Sequence, residues 1–135
     1  MPARRDDSPV FRLKVTLKGS KPPIWRRIQV RGSMTLPRLH RCLQEVMGWE
    51  DYHLHQFVVR DAHRGEINYG EPDPEYGDDW TLNEKRVRLD KIVAEPKDRF
   101  VYEYDFGDGW DHDVVVEKVL PADWSVLYPI CLTGR

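Results

Sequence analysis

The stretch Phe100-Val101-Tyr102-Glu103-Tyr104-Asp105-Phe106-Gly107-Asp108-Gly109-Trp110-Asp111-His112-Asp113-Val114-Val115-Val116 decides the fold. Bulky side chains occupy every second position on either side of a Gly-Asp-Gly turn, which is the period of a strand with one buried face. Phe100 to Phe106 and Trp110 to Val119 therefore read as the strands of a hairpin. A three-residue loop with Gly109 at positive φ sets Phe106 against Trp110, Tyr104 against His112, Tyr102 against Val114 and Phe100 against Val116. A two-residue Asp108-Gly109 turn would instead place Asp105 opposite His112, a pairing suited to orienting an imidazole. The first register separates apolar from charged residues better. It leaves Glu103, Asp105, Asp111, Asp113 and Glu117 on the other face, as a solvated surface or as oxygen ligands for a hard divalent cation.

Outward from this hairpin, Val10 to Lys18 alternates in the same way, with Phe11, Leu13, Val15 and Leu17 on one face. Gly19-Ser20-Lys21-Pro22-Pro23 forces a turn, and Ile24 to Val30 returns as a second strand. Leu36, Leu39, Leu43, Val46 and Met47 repeat at helical spacing. Thr35 stands at the N-cap, Pro37 in the first turn, Met34 and Leu39 at the staple positions and Gly48 at the end, predicting a helix over 36–47. His53 to Arg60 reads as a strand with Ile67-Asn68-Tyr69 as its shorter partner. Glu71 to Asp79 is an acidic surface loop, and Thr81-Leu82-Asn83-Glu84 fits a capping box opening a short helical turn. The fold expected from this order is a single α+β domain over 10–135 after a flexible leader, 1–9. Two hairpins and a middle strand pair form its mainly antiparallel sheet, one main helix covers a face, and a β-grasp-like arrangement is one way of closing it.

Composition narrows the function classes. The 135 residues, 40% hydrophobic and 33% charged, suit one soluble globular domain. No apolar run reaches the roughly 20 residues of a membrane span, and Met1-Pro2-Ala3-Arg4-Arg5 does not open a signal peptide, so a cytoplasmic protein without a membrane partner is expected. Cys42 and Cys131 have neither disulfide-framework nor zinc-motif spacing. The net charge of −2 hides an asymmetry, because residues 1–60 hold 12 Lys and Arg against 5 Asp and Glu while residues 61–135 hold 9 against 18. Either the halves neutralise each other on packing, or one face is basic enough for phosphate backbones.

Lys21, Trp25, Arg26, Arg27, Arg31 and Arg38 gather cations around an aromatic ring, a composition that grips phosphates and stacks on bases; Trp110 is a second aromatic candidate. The same residues also suit a protein interface, or a cation simply held over a ring. His53 and His55 lie on one strand face about 7 Å apart, and with Asp105 and His112 they form a candidate metal set leaving a coordination position open for water. Asp105-Phe106-Gly107 matches a kinase triplet, yet no glycine-rich loop or catalytic His-Arg-Asp accompanies it. Walker, nucleophile-elbow, zincin and dinucleotide motifs are absent.

Several of these runs together resemble a known family. Lys18-Gly19-x-x-Pro22-Pro23-Ile24-Trp25-Arg26-Arg27, Leu39-His40, Gly48-Trp49, His53-Leu54-His55-x-Phe57 and Tyr102 to His112 are similar to the Ri-plasmid ORF-three-like proteins, also labelled insertion-element passenger proteins of a resolvase type. The resemblance runs from about Val10 to Cys131. It implies an α+β domain in a plasmid or mobile-element context and carries over no catalytic residues. Members usually continue past the position of Cys131 into a Cys-Pro-Pro-Glu-Asp run and a further helical part, which this chain lacks. The expectation is a non-enzymatic accessory domain that binds nucleic acid or a protein partner and needs no cofactor. The alternative is a metal-dependent hydrolase built on the His and Asp set with a divalent metal.

Overall fold

The computed structural model describes residues 6–51, 53–72, 81–105 and 109–134. The alternating opening gives β1 (Val10–Leu17) and β2 (Trp25–Arg31), paired antiparallel from Val10↔Arg31 to Thr16↔Trp25. The predicted helix is α1 (Leu36–Met47). Next come β3 (His55–Asp61), β4 (Gly65–Gly70), β5 (Thr81–Asn83), the single-turn α2 (Leu89–Ile92), β6 (Arg99–Tyr104), β7 (Trp110–Leu120) and β8 (Ile130–Gly134). Among the described residues all eight strands join one sheet in the order β5-β4-β3-β6-β7-β1-β2-β8.

The expected α+β class, with one main helix and a β-grasp-like closure, is overturned by this arrangement. One large mixed sheet dominates, and the helices number two among the described residues. The sheet is mixed because Thr81–Asn83 is not a helix start. It extends parallel to β4, and the Glu84 carboxylate turns inward to His55 instead of capping a helix. The eighth strand, β8, pairs with β2 across an irregularity at Arg27/Ile28 and has no alternation that marks it in sequence. Most of the acidic loop, residues 73–79, lies outside the described residues.

The second hairpin keeps its predicted faces but not its register. Tyr104 pairs with Trp110, Tyr102 with His112 and Phe100 with Val114, two residues away from the expected partners. Strand β6 ends because Asp105 takes a left-handed conformation, φ 59°, donates its N–H to the Leu54 carbonyl and accepts one from Gly109. The connection is thus five residues, 105–109, and Asp105 never faces His112. Gly109 has the expected positive φ, 71°, while the pairing expected of Phe106 falls on a residue outside the described ones.

Leu13, Ile28, Phe57, Phe100, Tyr102 and Val114 project from one sheet face and meet Leu36, Leu39 and Leu43 of α1. Leu39 N–H donates to the Thr35 carbonyl, but the Thr35 hydroxyl makes no cap, so the expected side-chain cap is replaced by pairing of Thr35 with Arg88. The helix ends at Gly48, φ 77°, whose N–H reaches the Glu45 carbonyl as Trp49 N–H reaches Gln44. A Cβ at Gly48 would meet nothing within 4 Å. Gly48→Ala is therefore expected to cost about 1 kcal/mol, from backbone strain alone. Urea unfolding checks this, and a loss several times larger would reveal a packing role that the surroundings do not show.

Candidate functional site

Under the middle and C-terminal part of α1 the apolar core gives way to a polar one. Helical spacing puts His40 and Gln44 on the same stripe as Leu36, Leu39 and Leu43, and both are buried against the sheet. Cross-strand pairing lays out what they meet: Phe57, Tyr102 and His112 form one row, and His55, Tyr104 and Trp110 the next. The Tyr102 hydroxyl accepts from Gln44 Nε2 at 2.8 Å and donates to His40 Nδ1 at 2.6 Å. His40 Nε2 donates to Asp51 Oδ1 at 2.8 Å, and Asp51 N–H donates to Gln44 Oε1 at 2.9 Å. The four residues close a hydrogen-bonded ring in which every donor points the same way round, an arrangement whose bonds reinforce one another. Asp51 reaches it through a left-handed backbone, φ 56°.

Two further histidines flank the ring. His55 stacks on His40 with centroids 3.6 Å apart and donates from Nε2 to Glu84 Oε1 at 2.6 Å. Both members of that pair are buried, and among the described residues Glu84 Oε2 has no hydrogen-bond partner. His112 donates from Nδ1 to the Tyr102 carbonyl at 3.1 Å and accepts from the Trp49 indole at 3.0 Å, so its neutral tautomer is dictated by its neighbours. Burial holds His112 below the ordinary imidazole range, against the opposing pull of the Tyr102 and Trp110 carbonyls. Burial, and then the adjoining His55, lower His40 as well. Burial raises the Tyr102 hydroxyl far above the usual phenol range. It also pushes the Cys42 thiol up to about 11, in keeping with a packing role for that cysteine.

The four sequence-level metal candidates fall into three separate contacts. His53 Nε2 lies 3.5 Å from Asp105 Oδ2 at the surface, His55 is tied to Glu84, and His112 has both ring nitrogens engaged. Among the described residues no three His, Cys, Asp or Glu side chains are grouped to hold a metal ion. Sequence reasoning passes over His40, Gln44, Asp51 and Glu84 as network members. The first two are detectable as polar residues on the apolar stripe of a well-marked helix; Asp51 and Glu84 lie on connections, where periodicity says nothing.

The predicted binding residues spread over several surfaces. Lys21 is exposed in the first turn, Arg38 is exposed on α1, and Trp110, 39% exposed, packs on Trp49 at the far end of the sheet. Arg26 faces the helix layer and donates to the Val46 and Trp25 carbonyls. Trp25, Arg27 and Arg31 do share a surface, the face of β1 and β2 away from α1, with Arg12 and Lys14 beside them. Lys14 Nζ and the Arg27 guanidinium each lie 5.1 Å from the Trp25 ring centre, and the Arg31 guanidinium sits between Trp124 at 4.7 Å and Tyr128 at 5.0 Å. Glu117 receives a fork of bonds from Arg27 at 2.6 and 3.0 Å, with Arg12 at 3.6 Å, and these cations hold its carboxyl below the usual range. Asp6, against the upward effect of burial, is held low by hydrogen bonds from Ser33 and Ser8, and Asp123 by hydrogen bonds from Ser125, with Arg31 adding a smaller pull on each.

This same face turns acidic over β6 and β7. Glu103 pairs directly with Asp111, Asp113 has Arg99 at 3.9 Å, and Gln56 donates to Glu103 at 2.5 Å. An open groove of about 800 Å³ lies over this acidic part, its lining including Val58, Val101, Arg99 and Glu103. The charge asymmetry between the chain's halves thus becomes a division of one sheet face, basic over β1–β2 and acidic over β6–β7, with Glu117 neutralising part of the basic side. No helix among the described residues is long and apolar enough to cross a membrane.

Comparison with known proteins places this architecture. The chain is 42% identical over 114 residues to the uncharacterized protein y4hQ of Sinorhizobium fredii (strain NBRC 101917 / NGR234), a match covering 84% of this chain and 56% of the relative. The chain therefore spans little more than half the length of that relative. It is also similar, with a TM-score of 0.83 and 38% identity, to the crystal structure of a protein of unknown function, MM3350, from Methanosarcina mazei Go1; the match covers 97% of this chain and 72% of that one. The family model of the plasmid pRiA4b ORF-3-like proteins matches residues 9–135, and the chain belongs to that family.

Proposed function

We propose that this chain is a non-enzymatic accessory domain that binds nucleic acid through the face of β1 and β2 away from α1. The observation that carries the reading is the convergence of Arg12, Lys14 and Arg27 on the single carboxylate of Glu117, with Trp25 beneath two of these cations. Glu117 can satisfy only part of that charge. The plasmid-borne character of the family supports the same reading.

Fluorescence anisotropy with a labelled oligonucleotide at low salt tests it. Affinity is expected to fall steeply as salt rises. Lys14→Ala and Arg31→Ala are expected each to weaken binding of all sequences alike and to reduce the log–log salt slope by about 1. Arg38→Ala, on the opposite layer, is expected to change nothing. A flat titration at low salt would remove the nucleic-acid reading and leave binding of a protein partner as its replacement.

A further inference from the structure

We infer that Glu117 is an internal stand-in for a backbone phosphate, seated in the fork of Arg27 that nucleic acid takes over on binding, and that it restrains the affinity of the face. The inference rests on the nucleic-acid reading above and adds the regulation of that site. Strand register explains how the carboxylate arrives. The consecutive residues Arg12 and Leu13 of β1 pair with Lys118 and Val116, so Glu117 is the extra residue of a bulge in β7 and has no direct partner on β1. A bulge re-aims a side chain. Here it sends Glu117 past β1 to Arg27 on β2, two strands away, where Oε1 accepts from Nε at 2.6 Å and Oε2 from Nη2 at 3.0 Å. Arg12 Nε lies 3.6 Å from Oε1, and Lys14 adds its field.

A phosphodiester offers a guanidinium the same thing, two oxygens sharing one negative charge. The fork of Arg27 is therefore already engaged. Its guanidinium carbon also lies over the Trp25 ring, 5.1 Å from the centre, in a contact that needs no N–H. When Glu117 lets go, the ring still holds the cation in place for another anion. The exchange has two costs in affinity. The fork must first be freed, and the three cations Arg12, Lys14 and Arg27 act together with the one carboxylate, as a net charge of 3 − 1 = +2.

Fluorescence anisotropy of the full chain with a labelled oligonucleotide compares the unaltered protein with Glu117→Gln and Glu103→Gln, each of which removes one negative charge from the same sheet face. Glu103 pairs with Asp111, six residues from Glu117 along β7, and so stands about 20 Å from the fork, beyond the screening length of about 10 Å at 0.1 M salt. Glu117→Gln is expected to bind about 10-fold more tightly at 50 mM salt and about 4-fold more tightly at 200 mM, with a log–log salt slope steeper by about 1. Glu103→Gln is expected to stay within about 2-fold of the unaltered protein. Adding Arg27→Ala to Glu117→Gln is expected to abolish the gain. Glu117 is part-exposed at the surface, so unchanged thermal unfolding is expected, and Glu117→Ala is expected to give a gain in the same direction. Affinity unchanged or weakened in both Glu117 variants, or a gain that Glu103→Gln matches, would overturn this inference and leave the nucleic-acid reading standing. Absence of binding by the unaltered chain and by Glu117→Gln alike would overturn both.

Discussion

His55→Ala is expected to lower the free energy of unfolding by about 3–5 kcal/mol, the range for removing one partner of a buried ion-pair-like contact. Glu84 is 1% exposed, and its carboxylate receives a hydrogen bond on Oε1 from His55 while Oε2 has none among the described residues. Taking the imidazole away leaves a buried carboxylate without a donor and strips His40 of the ring stacked 3.6 Å away. Glu84→Gln, which keeps an acceptor near Nε2 but carries no charge, is expected to cost distinctly less, about 1–2 kcal/mol. In the double variant His55→Ala/Glu84→Gln the loss is expected to fall short of the sum of the two single losses, because His55→Ala already breaks the shared contact. Urea denaturation of the set measures all three. A loss below about 1 kcal/mol for His55→Ala would show that water reaches Glu84 and that the pair is not buried in solution.

Lowering the pH from 7.5 to 5.5 is expected to destabilise the protein by about 1–3 kcal/mol through His40 and His112. Both are held neutral in the folded state, chiefly by burial, with their protonation shifted below the ordinary value of 6.5. The unfolded chain takes up protons there as pH falls through about 6.5 while the folded chain does not. Stability contributed by these groups is therefore complete above that range and declines below it, by at most about 1.4 kcal/mol per pH unit for each. For His112 the resistance has a geometric basis too, because a proton on Nε2 would face the Trp49 N–H. The carboxylates held low, Glu117 and Asp6, have ordinary values of 4.5 and 3.8, so their contribution is lost only at more acid pH and leaves the window to the histidines. Thermal or urea unfolding at several pH values checks the slope, and His112→Gln is expected to reduce it. A stability that is level or rises between 7.5 and 5.5 would contradict the neutral assignment.

Much of the candidate binding face is legible in the amino-acid sequence. Alternation assigns Trp25 and Arg27 to the side of β2 away from Ile28 and Val30, and they lie there, joined by Arg31. What alternation cannot say is who stands beside them. Glu117 meets Arg27 across 90 residues of chain, and Trp124 reaches Arg31 from a connection with no periodic pattern. The histidines regroup for the same reason. His53 and His55 share a strand face by spacing, yet His55 is claimed by Glu84 and His40, and His53 by Asp105.

Sequence alone determined the local elements: the first hairpin, the helix from Leu36 to Met47 with its stop at Gly48, and the buried side of each long strand. These follow from interactions a few residues apart, where a period of 2 or 3.6 and a left-handed glycine leave little freedom. Tertiary structure decided the rest, namely strand order, the parallel addition of Thr81–Asn83, the eighth strand and the ring through Tyr102, His40, Asp51 and Gln44. The second hairpin shows the boundary between the two. Its expected and observed registers differ by two residues, a shift that returns every side chain to the same face and so leaves the hydrophobic pattern unchanged. The choice between them fell to contacts outside the hairpin. Trp49, arriving from the end of α1, packs on both Tyr104 and Trp110, and Leu54 takes the Asp105 N–H, so those neighbours hold the pairing where it is.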